Sequence, residues 1–363
     1  MVGRGAPGYG APYDGSPNEV SRGRDDRIRI PLRLRRPIAG GVARRSRGRP
    51  AGCPTRPRGG FFKAHGLGND YLVFPVGDAW MARASAVERV CDRWLGAGAD
   101  GIIAYLGIDD SGIHHLRGFN PDGGEFERSG NGLRVFAAFL ASRGDVEEGE
   151  EFHVGLGGDT VTMELLFRAE GPRLEVRADM GRARVGFDAV HADTEHLAPE
   201  GGIRHPTRGV LEVTPVSVGN PHGVYFTERP GVEVLRDVGP FLGSHRAFPH
   251  GLNVQVARVV GRDRLRVLVW ERGAGETSAS GTSACAAAVA AVTTGRMEPG
   301  SIEVEMEGGT LGVTVSPGLD VVLRGPVEEI YEGRLTDGFC EELRTSSSGP
   351  HPAQQHQPRQ KKE

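Results

Sequence analysis

The chain has 363 residues, 38% of them hydrophobic, with a formal net charge of -3 and four cysteines. That length supports two domains with sizeable cores, and the near-neutral balance excludes the overall field that would draw nucleic acid or an anionic membrane. No apolar run reaches the roughly 18 residues that span a bilayer, and no charged-apolar-small signal pattern is present.

In chain order, residues 1–60 come first as a leader rich in arginine, glycine and proline and poor in acids, with Arg22, Arg24, Arg27, Arg33, Arg35 and Arg36 among its cations. Such a stretch buries too little apolar surface to offset its ordering entropy, so it is expected to be disordered. Few serines and no amphipathic period set it apart from a transit peptide and favour a solvated extension. The globular part opens at Phe61-Phe62-Lys63. Strands are expected at Tyr71–Phe74, Gly101–Tyr105, Leu174–Arg177, Leu265–Trp270 and Leu311–Val315, where β-branched and aromatic residues cluster. Helices are expected over 84–95, 131–143 and 282–295, and residues 345–363 form a low-complexity tail. Cys53, Cys91, Cys285 and Cys340 lack metal-ligand spacing. They predict free thiols in a reducing, cytoplasmic setting, with no metal.

Two helices share an opening. One reads Ser129-Gly130-Asn131-Gly132 and the other Ser280-Gly281-Thr282-Ser283, each running into an apolar helix. The repetition, one copy in each half, suggests an internal duplication at domain scale. A helix that starts at a glycine-rich turn offers unpaired backbone N–H groups and the positive end of its dipole, which suits an anion. Two such openings facing one another could hold a single carboxylate, with Ser129 and Ser280 on opposite sides of the carbon that bears it. That is the arrangement a two-base racemase needs. Either serine alone reads as an ordinary helix cap; the repeat favours function.

The blocks Phe62-Lys63-Ala64-His65-Gly66-Leu67-Gly68-Asn69-Asp70, Phe119-Asn120-Pro121-Asp122-Gly123, Ser129-Gly130-Asn131-Gly132, Gly219-Asn220-Pro221-His222 and Glu271-Arg272-Gly273-Ala274-Gly275-Glu276-Thr277 resemble the diagnostic blocks of the diaminopimelate epimerase family. The resemblance runs from about Phe61 to about Phe339. It implies an α+β fold of two pseudo-symmetric lobes, each a mostly antiparallel sheet wrapped around a central helix, with the active site in the cleft between them. The lobes would be residues 61–178, completed by 326–344, and residues 179–325. It further implies a homodimer, no cofactor, and a small-molecule amino-acid substrate, LL-2,6-diaminopimelate epimerised to the meso form on the way to lysine and peptidoglycan precursors. Carried across residue by residue, Gly130, Asn131, Gly281 and Thr282 would hold the reacting carboxylate. Asn69, Asn120, Asn220, Asn253, Glu271 and Arg272 would hold the rest of the substrate. A distal carboxylate matches a planar Arg fork, and a distal ammonium matches Glu and amide oxygens. His65 and His222 read first as structural histidines.

The family carries cysteine where this chain has Ser129 and Ser280. A thiol with a reference pKa of about 8.5 reaches thiolate near neutrality at a helix N-terminus, and a hydroxyl does not. Serine needs a separate base, for which Asp122, Glu125, Glu276 and His222 are candidates by motif position. Cys285 lies more than a turn into its helix and reads as packing. Three functions remain open: an epimerase, a binding homologue with impaired catalysis, and a related isomerase or dehydratase using a different base.

Overall fold

The computed structural model describes residues 59–75, 78–126 and 129–345, so the expectations for the leader and tail fall almost wholly outside it. All five expected strands form, within Asn69–Phe74, Gly101–Ile108, Arg173–Arg182, Arg264–Glu271 and Gly309–Val315. The helices are α1 (Ala84–Cys91), α2 (Gly130–Ser142), α3 (Val232–Gly243), α4 (Gly281–Thr293) and α5 (Asp337–Thr345). Three were expected; α3 and α5 were not. α1 stops short of residue 95 because the Asp92 carboxylate accepts from the backbone N–H groups of Trp94 and Leu95, both at 2.7 Å. That local turn competes with another helical turn.

The strands close into two rings of the same design. The first runs Gly60–Gly66, Asn69–Phe74, Gly101–Ile108, Ile113–Phe119, Glu151–Leu156, Asp159–Arg168, Arg173–Arg182 and Asp320–Arg334, which pairs back to Gly60–Gly66. The second runs Val213–Ser217, Pro221–Phe226, Asn253–Val259, Arg264–Glu271, Gly300–Met306, Gly309–Val315 and Asp320–Arg334. It closes through Arg173–Arg182 and its continuation Arg184–Val185, which pairs with Val213–Ser217. In both rings the second and third strands, and the fourth and fifth, are parallel, and the remaining neighbours are antiparallel. The duplication legible in two helix openings therefore extends to the pairing pattern, and α3 occupies the place in the second ring that α1 has in the first.

α2 fills the first ring and α4 the second. α2 is buried on every face from Gly130 to Leu140, and α4 from Gly281 to Ala291. A helix apolar all round is a core element. Phe136 and Phe139 on α2 are fully buried, and each contributes about 1.5–3 kcal/mol by area. Truncating either to alanine costs about 3–5 kcal/mol. Alanine is the commonest residue of α4, and the buried residues of this helix join those of α2 in one apolar core. This is a sheet-dominated α+β fold with two lobes.

Candidate active site

The two helix openings meet. A Cβ placed on Gly130 would lie 2.9 Å from the Cα of Gly281, and one on Gly281 would lie 2.9 Å from the Cα of Gly130. Both glycines also rest on the Cδ2 of Leu323, so any side chain at either position would separate the two helices. Glycine at both is what lets two positive helix ends converge. Ser129 caps α2, its Oγ accepting from Gly132 N at 3.0 Å. Ser280 caps α4, its Oγ accepting from Ser283 N at 3.5 Å.

Around this junction lies a cavity of about 720 Å³, lined by Ser129, Ser280, Asn69, Asn120, Gly130, Asn131, Asn220, Asn253, Glu271, Arg272, Gly281 and Thr282. Each residue that the resemblance assigns to proton exchange or to the substrate thus lines one cavity. Tyr71, Asp100, Asp122, Glu125 and Glu276 line it as well. His222 and His65 do not appear in its lining. Among the described residues no cluster of three or more His, Cys, Asp or Glu is placed to hold a metal, and no helix is long and apolar enough to cross a membrane.

The two serines have different partners. The Ser129 hydroxyl is 3.0 Å from the Tyr71 hydroxyl. Tyr71 is buried, and burial pushes its pKa up beyond the usual phenol range, so it stays protonated. Ser280 instead hydrogen-bonds the Glu271 carboxyl; burial raises the pKa of that carboxyl and the hydrogen bond partly offsets the rise. Tyr71 was missed in the sequence because it lies inside a strand of apolar residues. Its signal was position: it follows Asn69 by two, as His222 follows Asn220.

Much of the lining is held by side-chain relays. Asn131 Nδ2 donates to Asn69 Oδ1 at 3.0 Å and to the carbonyl of Ala279 at 3.2 Å, while its Oδ1 accepts from Arg134. Asn69 Nδ2 donates to Asp100 Oδ2 at 3.2 Å. Asp100 and Asp70 share Arg93, and Lys63 pairs with Asp70 at 2.8 Å. Burial acts to raise the Asp70 pKa, but hydrogen bonds from Arg93 and Lys63 outweigh it and hold the carboxyl at about 2.

On the other side, Gln255 Nε2 lies 3.1 Å from His222 Nδ1 and donates to Ser283 Oγ at 2.9 Å. His222 Nε2 lies 2.8 Å from Asn220 Oδ1. With the glutamine amide as donor, His222 carries its proton on Nε2 and gives it to Asn220. The ring is fully buried, and burial lowers its pKa to about 3, so it is neutral and orients an amide. Asn253 bridges the carbonyl of Pro221 and the N–H of Arg272 at 3.1 and 2.9 Å. Arg272 itself is exposed at the rim, and its Nη1 donates to the His250 carbonyl at 2.7 Å. Cys285 is buried in the core and is absent from the cavity lining, as its helical position predicts.

The sequence profile described as Diaminopimelate epimerase matches residues 61–186 and 214–330. The diaminopimelate epimerase of Moorella thermoacetica is 39% identical over 290 residues, covering 75% of this chain and 98% of its own. That of Nostoc punctiforme is 37% identical, covering 76% and 99%. Among solved structures, a predicted epimerase from Pseudomonas aeruginosa is similar with a TM-score of 0.57 at 19% identity, covering 76% of this chain and 98% of its own. A probable proline racemase from Agrobacterium radiobacter is similar with a TM-score of 0.58 at 14% identity, covering 78% and 95%. At such identities the likeness is one of fold.

Proposed function

The chain belongs to the diaminopimelate epimerase family and is an isomerase of the epimerase type, and we propose that it exchanges the α-hydrogen of diaminopimelate, interconverting the LL and meso forms. The observation that carries this reading is the meeting of the α2 and α4 N-termini at Gly130 and Gly281, with one serine on each. A carboxylate seated there would accept from backbone N–H groups of both lobes, taken as residues 61–178 with 326–344 and residues 179–325. Its α-carbon would then present one face to Ser280 and the other to Ser129.

Removal of the α-proton falls to the Ser280 side. As Ser280 takes the proton, its own hydroxyl proton passes to Glu271, whose pKa is raised by burial. On the opposite face Ser129 gives its proton to the α-carbon, and Tyr71 is the group within reach to restore it. Buried phenol is a poor donor, so Tyr71 is the weaker of the two partners and proton removal on the Ser280 side limits turnover. Asn69, Asn120, Asn220, Asn253 and Arg272 would surround the rest of the substrate. No cofactor enters this scheme, and a homodimer, readable by sedimentation, belongs to the same proposal.

Purified protein incubated with LL- or meso-diaminopimelate in D2O is expected to place deuterium at the α-carbon, read by mass spectrometry. A second reading rests on the serines themselves: both hydroxyls cap their helices and neither is replaced by a thiol. On that reading the protein binds the amino acid without turning it over. Calorimetric binding with no deuterium uptake would establish the second reading; neither binding nor uptake would sink both.

A further inference from the structure

Arg134, on the second turn of α2, is fully buried. Its Nη1 donates to the Gly130 carbonyl at 3.1 Å, its Nε to the Pro326 carbonyl at 3.2 Å, and its Nη2 to Asn131 Oδ1. Among the described residues no carboxylate forms an ion pair with it. A buried guanidinium with no ion pair is costly, and Glu175, which acts on it only through space, is itself paired with Arg324 at 3.0 Å. Three glycines leave room for it: a Cβ on Gly66, Gly281 or Gly325 would lie 2.8, 3.3 or 3.4 Å from its nitrogens.

The surrounding electrostatics make the placement stranger. Arg134 lies against Gly130 and Gly281, the first residues of α2 and α4. Two positive helix ends and a full positive charge therefore share one spot, which raises the energy of the empty cavity. The acids that line the cavity are engaged elsewhere. Glu271 is bound by Ser280, Asp100 by Arg93, Glu125 by Arg117 and Glu276 by Arg236. Asp122 accepts from Gly124 N in its own turn. Desolvation lowers the Arg134 pKa to about 10, which still leaves it charged at neutral pH.

We propose that Arg134 is a positioning residue whose buried charge completes the anion cradle at the paired helix openings, and whose fork fixes the amides of Asn131 and Asn69 that face the ligand. The proposal rests on the carboxylate reading above for its ligand, but not for its electrostatics. Because Asn131 Oδ1 accepts from a group that can only donate, its Nδ2 must point at Asn69 and Ala279, and the Asn69 amide is set in turn. A ligand carboxylate would be the missing partner for three sources of positive potential.

A thiol at the helix cap measures that potential without any substrate. In a Ser129→Cys protein, the thiol pKa is read from the pH profile of iodoacetamide alkylation, followed on the peptide containing residue 129. Adding Arg134→Gln is expected to raise that pKa by about one unit or more, whereas adding Arg134→Lys, which keeps the charge, leaves it within about half a unit. Equal pKa values in the Arg134 and Arg134→Gln backgrounds, with folding verified by circular dichroism, would overturn the proposal. If Arg134→Gln does not fold, Arg134→Met, which also removes the charge, takes its place: a rise of about one unit supports the proposal and an unchanged value overturns it.

Diaminopimelate binding by calorimetry is the second readout, with the single Arg134→Gln protein expected to bind at least about 10-fold more weakly. A thiol shift with no diaminopimelate binding by any variant would refute the substrate reading and leave the electrostatic role standing. Unchanged affinity in a folded Arg134→Gln protein would refute the role.

Discussion

The two lobes repeat one backbone plan and diverge where they touch the cavity. In the first ring the parallel pair that opens the second and third strands is Tyr71 with Gly101; in the second ring it is His222 with Asn253. A Cβ on Gly101 would sit 2.5 Å from the Tyr71 ring, so the aromatic fills the space that Asn253 uses for hydrogen bonding in the other lobe. The phenol thereby reaches Ser129, while His222 reaches Asn220 and Gln255. Ser280 has its carboxylate, Glu271, from the neighbouring strand end. Duplication gives the paired helix openings; the groups proposed for acid-base work stand at positions where the copies differ.

Restoring thiols to both caps tests whether that cradle is intact. The Ser129→Cys, Ser280→Cys protein is expected to exchange the α-hydrogen of diaminopimelate at least about 100-fold faster than the unsubstituted chain, since positioned acid-base groups contribute about 10²–10⁴. A double variant no faster than its parent would mean that the pocket does not seat this substrate. The inequality of the lobes is tested next. Glu271→Gln should lower exchange about 100-fold, and Tyr71→Phe about 10-fold or less, because only Glu271 takes up a proton in the rate-limiting direction. Equal losses would erase the distinction drawn between the two faces.

His222 offers a comparison in stability. Its folded pKa of about 3 lies below the unfolded value of about 6.5. Between those values the unfolded chain binds the extra proton, so stability is complete above about pH 6.5 and falls with acid by up to about 1.4 kcal/mol per unit. Denaturant titrations at pH 7 and 5 should show that loss, and His222→Gln should flatten it. The smallest expected effect belongs to Cys285. Cys285→Ala should cost about 1 kcal/mol as a core truncation and leave deuterium exchange unchanged, whereas lost exchange would reassign this thiol to the chemistry.

The sequence was most legible where local chemistry decides structure. Small residues ahead of apolar helices announced α2 and α4, and ordered polar blocks far apart in the chain converged on one cavity. What escaped was set by long-range contact. α3 contains Pro240 and two glycines, which weaken its helical pattern; packing on the strands Asn253–Val259 and Arg264–Glu271 overrides that local preference. Its existence was recoverable from the duplication, since α1 holds the matching place. Arg134 gave no sign of burial, because a basic residue on a helix ordinarily faces water. Nothing local says that Gly66, Gly281 and Gly325, from three separate segments, would enclose it.

The strand Asp320–Arg334 bears on how such a cavity could admit and release its ligand. Its first part pairs with Gly309–Val315, its last part with Gly60–Gly66, and Arg173–Arg182 follows it along most of its length. Leu323 seats both helix openings, and two residues after it Gly325 makes room for Arg134, whose Nε holds the Pro326 carbonyl. The two rings therefore share this strand and its neighbour Arg173–Arg182, and the contacts to both helix openings and to Arg134 lie within Leu323–Pro326. Breathing of the cleft should accordingly be audible in the amide protons of Val321–Val327, whose solvent exchange slows when the cavity is filled.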